Sequence, residues 1–66
     1  MNIFINQAAE EVDQAITLAT LLKLKAIDSR TVAVAVNYTI VTSSLWPEVV
    51  LSENDEIDIF SVVAGG

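Results

Sequence analysis

Apolar residues along this chain switch between two periods. Asn2-Ile3-Phe4-Ile5-Asn6 puts Ile3 and Ile5 on one side of an extended segment, so a strand is expected there. Gln7 to Asp13 is more polar and reads as a weak second strand or a turn, with Glu10-Glu11-Val12-Asp13 as an acidic edge. From Leu18 the spacing becomes helical. Thr17 stands as N-cap before a helix expected over Leu18–Ala26. Leu18, Leu21 and Leu22 share its inner face, Leu24 or Ile27 closes its end, and Lys23 and Lys25 lie near the negative end of its dipole. Period two returns at Val32, Val34 and Val36, which alternate with Ala33 and Ala35. Asn37-Tyr38 reads as a turn into the short strand Thr39-Ile40-Val41. Ser43 to Glu48 is irregular or a single helical turn and holds the only Trp and the only Pro. Ser52-Glu53-Asn54-Asp55 is a turn, Asn54 being a residue type that tolerates left-handed angles. The last strand is expected over Glu56–Val62, with Ile57 and Ile59 facing in.

The order strand, strand, helix, strand, short strand, strand describes an α+β domain. One helix cannot cover both faces of a sheet, so it packs on one of them. The other face is expected to carry Phe4, Ala33, Ala35, Asp58 and Phe60. If the first and last strands are neighbours, Phe4 and Phe60 lie close together there and form an exposed apolar patch.

Composition sharpens this picture. At 66 residues the chain is one domain, near the size at which a single core only just stabilises itself. Hydrophobic residues make up 53%, and mean hydropathy is +0.56. So small a domain cannot bury all of that surface, so some of it faces water or a partner. The longest charge-free run, Thr31 to Pro47, is interrupted by Asn37, Thr39, Ser43 and Ser44, and no transmembrane helix is expected. The N-terminus lacks the basic region of a signal peptide, which leaves a cytoplasmic protein as the expectation. Three Lys+Arg against nine Asp+Glu give a net charge of −6, which opposes binding to nucleic acid or to an anionic membrane.

The same inventory removes most catalytic chemistry. There is no Cys and no His, hence no disulfide, thiolate nucleophile, Ser-His-Asp triad or imidazole metal ligand. The acidic run Glu53, Asp55, Glu56, Asp58 lacks the spacing and turn glycine of a calcium loop and reads as a solvated turn. Glu10, Glu11 and Asp13 read the same way. Ser43, Ser44, Lys23 and Lys25 have no spacing that supports a Ser–Lys pair, and a phosphate-cradling glycine loop is absent. Trp46 is expected to pack in the core or at its rim, the alternative being a binding hot spot.

The most informative residues are the last two. Gly65-Gly66 directly follows the apolar Val62-Val63-Ala64. Two readings stand open. One is a frayed chain end. The other is an extended tail without Cβ atoms, whose terminal carboxylate threads a narrow channel and serves another enzyme as substrate.

In Met1-Asn2-Ile3-Phe4-Ile5-Asn6, Thr17-Leu18-Ala19-Thr20-Leu21-Leu22, Val34-Ala35-Val36-Asn37 with Ile40-Val41, and Trp46 five residues beyond Val41, the chain resembles the ThiS family. The strongest part is Asp55-Glu56-Ile57-Asp58-Ile59-Phe60 running into Val62-Val63-Ala64-Gly65-Gly66. These are small sulfur carriers of thiamin thiazole biosynthesis. The resemblance implies a ubiquitin-like β-grasp fold over residues 1–66, a mixed sheet with one helix on one face, and a functional tail over 62–66. The family often has Gly where Gln7 and Asn54 stand here, and a more polar stretch in place of Thr42-Ser43-Ser44-Leu45.

It also implies a mechanism in which the protein is a co-substrate with no catalytic residues and no bound cofactor or metal. An E1-like ThiF adenylyltransferase uses ATP and magnesium to adenylate the Gly66 carboxylate. A cysteine desulfurase or rhodanese-type donor supplies sulfur to form a thiocarboxylate, and thiazole synthase, ThiG, takes it. Gly65 and Ala64 thread the channel, while Phe4, Phe60 and Val62 are the candidate partner interface. The rivals are a MoaD-like carrier for molybdopterin synthase, a modifier joined to protein lysines, and a plain interaction module. MoaD-like tails usually carry prolines before the last residues, and Ser61-Val62-Val63 has none.

Overall fold

The computed structural model describes residues 1–62. Strands β1 (Asn2–Ile5), β2 (Ala8–Glu11), β3 (Val32–Val36), β4 (Thr39–Val41) and β5 (Glu56–Ser61) form one sheet in the order β2-β1-β5-β3-β4. Helix α1 (Leu18–Leu24) packs on one face, and a 3₁₀ turn spans Ser43–Glu48. β1 and β5 run parallel at the centre, with Phe4 opposite Glu56 and Ile5 opposite Ile57. The other pairs are antiparallel. This is the α+β sheet-and-helix arrangement that the patterning predicts.

Alternation decides which residues enter the core. Ile3, Val34 and Ile57 on the sheet, with Leu18, Leu21 and Leu22 on α1, are almost fully buried. Side chains of this size contribute roughly 1.5–3 kcal/mol each when removed from water. Trp46 is buried as well, and its Nε1–H donates to the Val41 carbonyl at 2.9 Å, which satisfies its polar atom while the ring fills the end of the core. The expectation of core packing for Trp46 holds.

Both hairpins close through two-residue turns. Their central residues have left-handed φ: 49° and 72° at Asn6 and Gln7, 50° and 69° at Asn37 and Tyr38. Such turns match the right-handed twist of the flanking strands. The chain's two glycines are both at its end, so every left-handed position among the described residues carries a side chain. Gln7, and Asn54 at 67°, hold that conformation where the resembled family often has Gly.

Three boundaries differ from expectation. Asn6 belongs to the turn, and β5 ends at Ser61. The helix stops at Leu24 because Ala26 takes φ 56°. There the Ala26 N–H donates to the Lys23 carbonyl at 3.0 Å and the Ile27 N–H to the Leu22 carbonyl at 3.0 Å, a Schellman closure. As a result Ile27 packs against the core, while Leu24, 73% exposed, does not close the helix end. At the other end the Thr17 hydroxyl accepts from the Thr20 N–H at 3.2 Å, the expected N-cap.

Candidate functional site

The helix-free face of the sheet is built by strand alternation. Asn2 and Phe4 on β1, Glu56, Asp58 and Phe60 on β5, Ala33 and Ala35 on β3, and Ile40 on β4 occupy the phase opposite to the core positions. Phe60 lies across from Ala33, and Asp58 across from Ala35. Small residues on β3 thus leave Phe60 standing proud, 44% exposed, and Ile40 is 60% exposed at the rim. Ile40 escaped the sequence reading, although its phase between Thr39 and Val41 carries the signal.

Phe4 and Phe60 share this face and lie on adjacent strands, but they are not in contact range along it. The register sets Phe4 opposite Glu56, so Phe60 lies four residues further along β5, about 13 Å at the strand rise. The expectation of one compact Phe4/Phe60 patch is therefore corrected. Phe4 is half-buried beside Gln7 and Glu56, while Phe60 heads a separate apolar end that continues to Val62. Val62, 48% exposed, donates its N–H to the Thr31 carbonyl at 3.0 Å, so the antiparallel pairing of β5 with the β3 side carries on to it.

Asn6, expected within the first strand, and Asn37, expected only as a turn residue, fix β5 from both sides. The Asn6 Oδ1 accepts from the Ile59 N–H at 2.8 Å, and the Asn37 Oδ1 from the Glu56 N–H at 3.0 Å. The signal is an Asn at the first position of each two-residue turn. These bonds anchor the strand that leads to residues 63–66. Ala64, Gly65 and Gly66, expected to thread and to be activated, lie outside the described residues.

Glu53, Asp55 and Glu56 of the acidic run near this face accept hydrogen bonds. Glu53 accepts from the Asn2 N–H at 3.1 Å, and Asp55 from the Ser52 N–H at 2.8 Å and from the Asn37 side-chain amide at 3.1 Å. The Tyr38 hydroxyl donates to Glu56 at 3.0 Å. That bond and the negative charge of Glu56 push the Tyr38 phenol above its ordinary range, with a smaller push from Asp58. Elsewhere, the Arg30 guanidinium holds the exposed Asp28 carboxyl down at about 2. Among the described residues no three His, Cys, Asp or Glu side chains converge as metal ligands. No helix among them is long and apolar enough to cross a membrane. What this geometry offers is an exposed face with apolar relief, acidic flanks and a strand hydrogen-bonded from both sides.

Comparison with known proteins follows the same line. The ThiS family model matches residues 2–66. Among solved structures, the crystal structure of the thiamine biosynthesis protein ThiS from Geobacter metallireducens is similar with a TM-score of 0.86 at 22% identity, covering 100% of each chain. That likeness shows the ubiquitin-like β-grasp fold. No curated protein sequence matches the chain.

Proposed function

Because the chain belongs to the ThiS family, we propose that it carries sulfur for assembly of the thiamin thiazole, with Gly66 as the carrying residue. The observation that supports this most is the family match running through residues 2–66, which includes the Gly65-Gly66 end.

In this reading the Gly66 carboxylate attacks the α-phosphorus of ATP, held with magnesium by an E1-like ThiF-type enzyme, and pyrophosphate leaves. The acyl adenylate is electrophilic at carbon. The outer sulfur of a persulfide, on a cysteine desulfurase or rhodanese-type donor, adds there and AMP leaves. A thiol then takes the inner sulfur, the S–S bond breaks, and the thiocarboxylate remains on Gly66 for a ThiG-type thiazole synthase. The absence of cysteine suits a carrier whose sulfur rides on its terminus. Gly65 and Ala64 keep the tail slim enough for the channel, and Phe60 and Val62 dock the domain, with Phe4 contributing at a separate point of the same face.

Deleting Gly65-Gly66 tests this. The carrier reading expects complete loss of ATP–pyrophosphate exchange with the activating enzyme, with circular dichroism and melting temperature unchanged. Undiminished exchange overturns it.

A further inference from the structure

The two edges of the sheet are not equivalent. In each two-residue hairpin the residues flanking the turn bond to one another, so their neighbours at alternate positions point outward. On β4 this leaves only Ile40 facing out before the chain departs into the Ser43–Glu48 turn. On β2 the pairing of Ile5 with Ala8 and of Ile3 with Glu10 turns the N–H and C=O groups of both Ala9 and Glu11 outward. Ala8, Ala9 and Glu11 are exposed.

Beside this edge, on the helix side, lies a hollow of about 310 Å³ between the end of β2 and α1. Ile16, Leu21 and Leu24 give it apolar walls, and the Lys25–Glu10 ion pair at 2.7 Å sits at its rim. Asp13 also lines it and Glu11, opposite Asn2, projects to the helix-free face of the same edge, so with Lys25 matched to Glu10 the edge carries excess negative charge. That excess disfavours a second copy of the chain, which would bring the same acids face to face.

We propose that this edge and hollow dock an extended, lysine- or arginine-bearing segment of a partner protein, added as a sixth strand beside β2. Its backbone pairs with Ala9 and Glu11. Alternate apolar side chains enter the hollow against Leu21 and Leu24, and the basic side chains between them project to the helix-free face, where Glu11 stands opposite Asn2. The site lies on the far side of β1 from β5 and is independent of the Gly66 chemistry.

The test is a titration of the ¹⁵N-labelled full chain with a capped peptide of alternating lysine and valine, read by amide shifts. Shifts concentrated at Ala9, Glu11 and Leu21 to Lys25 are expected, weakening as salt rises. Ala9→Pro removes an outward N–H without removing a ladder bond and should weaken binding at least tenfold. Leu24→Ser, which leaves the backbone untouched, should weaken it several-fold. Shifts confined to Phe4, Ala33 and Phe60, equal binding of a glutamate–valine peptide, or unchanged affinity in Leu24→Ser overturn the proposal. Thiocarboxylate formation by Ala9→Pro and Leu24→Ser should match wild type, which keeps failure of this site distinct from failure of the carrier reading.

Discussion

Replacing Ala26 by glycine should stabilise the protein, whereas the same replacement at Ala19 should destabilise it. Ala26 is exposed, follows the helix and holds φ 56° in the Schellman closure. A Cβ in that region costs about 1–2 kcal/mol, which glycine removes. Against this, glycine gives the unfolded chain about 0.4–1 kcal/mol more conformational entropy to lose. The balance lies between about zero and about 1.6 kcal/mol in favour of glycine, with a mid-range gain of about 0.8 kcal/mol or about 3–6 °C in melting temperature for a domain of this size. Ala19 lies inside α1 and packs against the core. There glycine loses about 1 kcal/mol of helix propensity and up to about 0.8 kcal/mol for the buried methyl. Thermal and urea unfolding followed by circular dichroism measure both. A melting temperature lowered by Ala26→Gly would show that a left-handed residue does not close the helix.

Three further outcomes are expected. Phe60→Asp should weaken binding to the activating enzyme or the thiazole synthase at least tenfold by calorimetry, while costing about 1 kcal/mol or less in stability; unchanged affinity removes Phe60 from the interface. Gly66→Val should abolish ATP–pyrophosphate exchange by steric exclusion of a β-branched terminus, and normal exchange refutes threading. The phenolate absorbance of Tyr38 should appear above the ordinary tyrosine range and move back down in Glu56→Gln, because the bond to Glu56 and its charge both favour the neutral phenol. Since that folded-state value is raised, the associated stability is fully present below the unfolded tyrosine's titration near 10 and is lost as pH rises through the folded one. A Tyr38 titration indifferent to Glu56→Gln contradicts the contact.

Much of the fold was legible because local and global preferences agree. Ile3 with Ile5, the Val32-Val34-Val36 alternation and the Leu18-Leu21-Leu22 stripe each match one periodicity, and the Thr17 cap has a single place to act. Asn54 announced a left-handed position through residue type, and Asn37-Tyr38 announced a turn. The helix end was not legible because Ala26 is a strong helix former by type, yet it takes the left-handed angle of the Schellman closure that brings Ile27 to the core. The Phe4–Phe60 spacing was illegible for a different reason. Alternation assigns a face, but the parallel register that puts Phe4 opposite Glu56 is fixed by non-local bonds such as Phe4 N–H to the Asp55 carbonyl at 2.9 Å. Pairing across the sheet likewise gave Asn6 and Asn37 their hold on β5.

The most direct measurement is the intact mass of the protein, with fragmentation to the C-terminal residue, after incubation with ATP, magnesium, an E1-like activating enzyme and a persulfide donor. A carrier gains the mass of one sulfur in exchange for one oxygen, localised to Gly66 and absent when ATP is withheld. An unmodified Gly66 carboxylate under those conditions, with no ATP–pyrophosphate exchange, contradicts the carrier function.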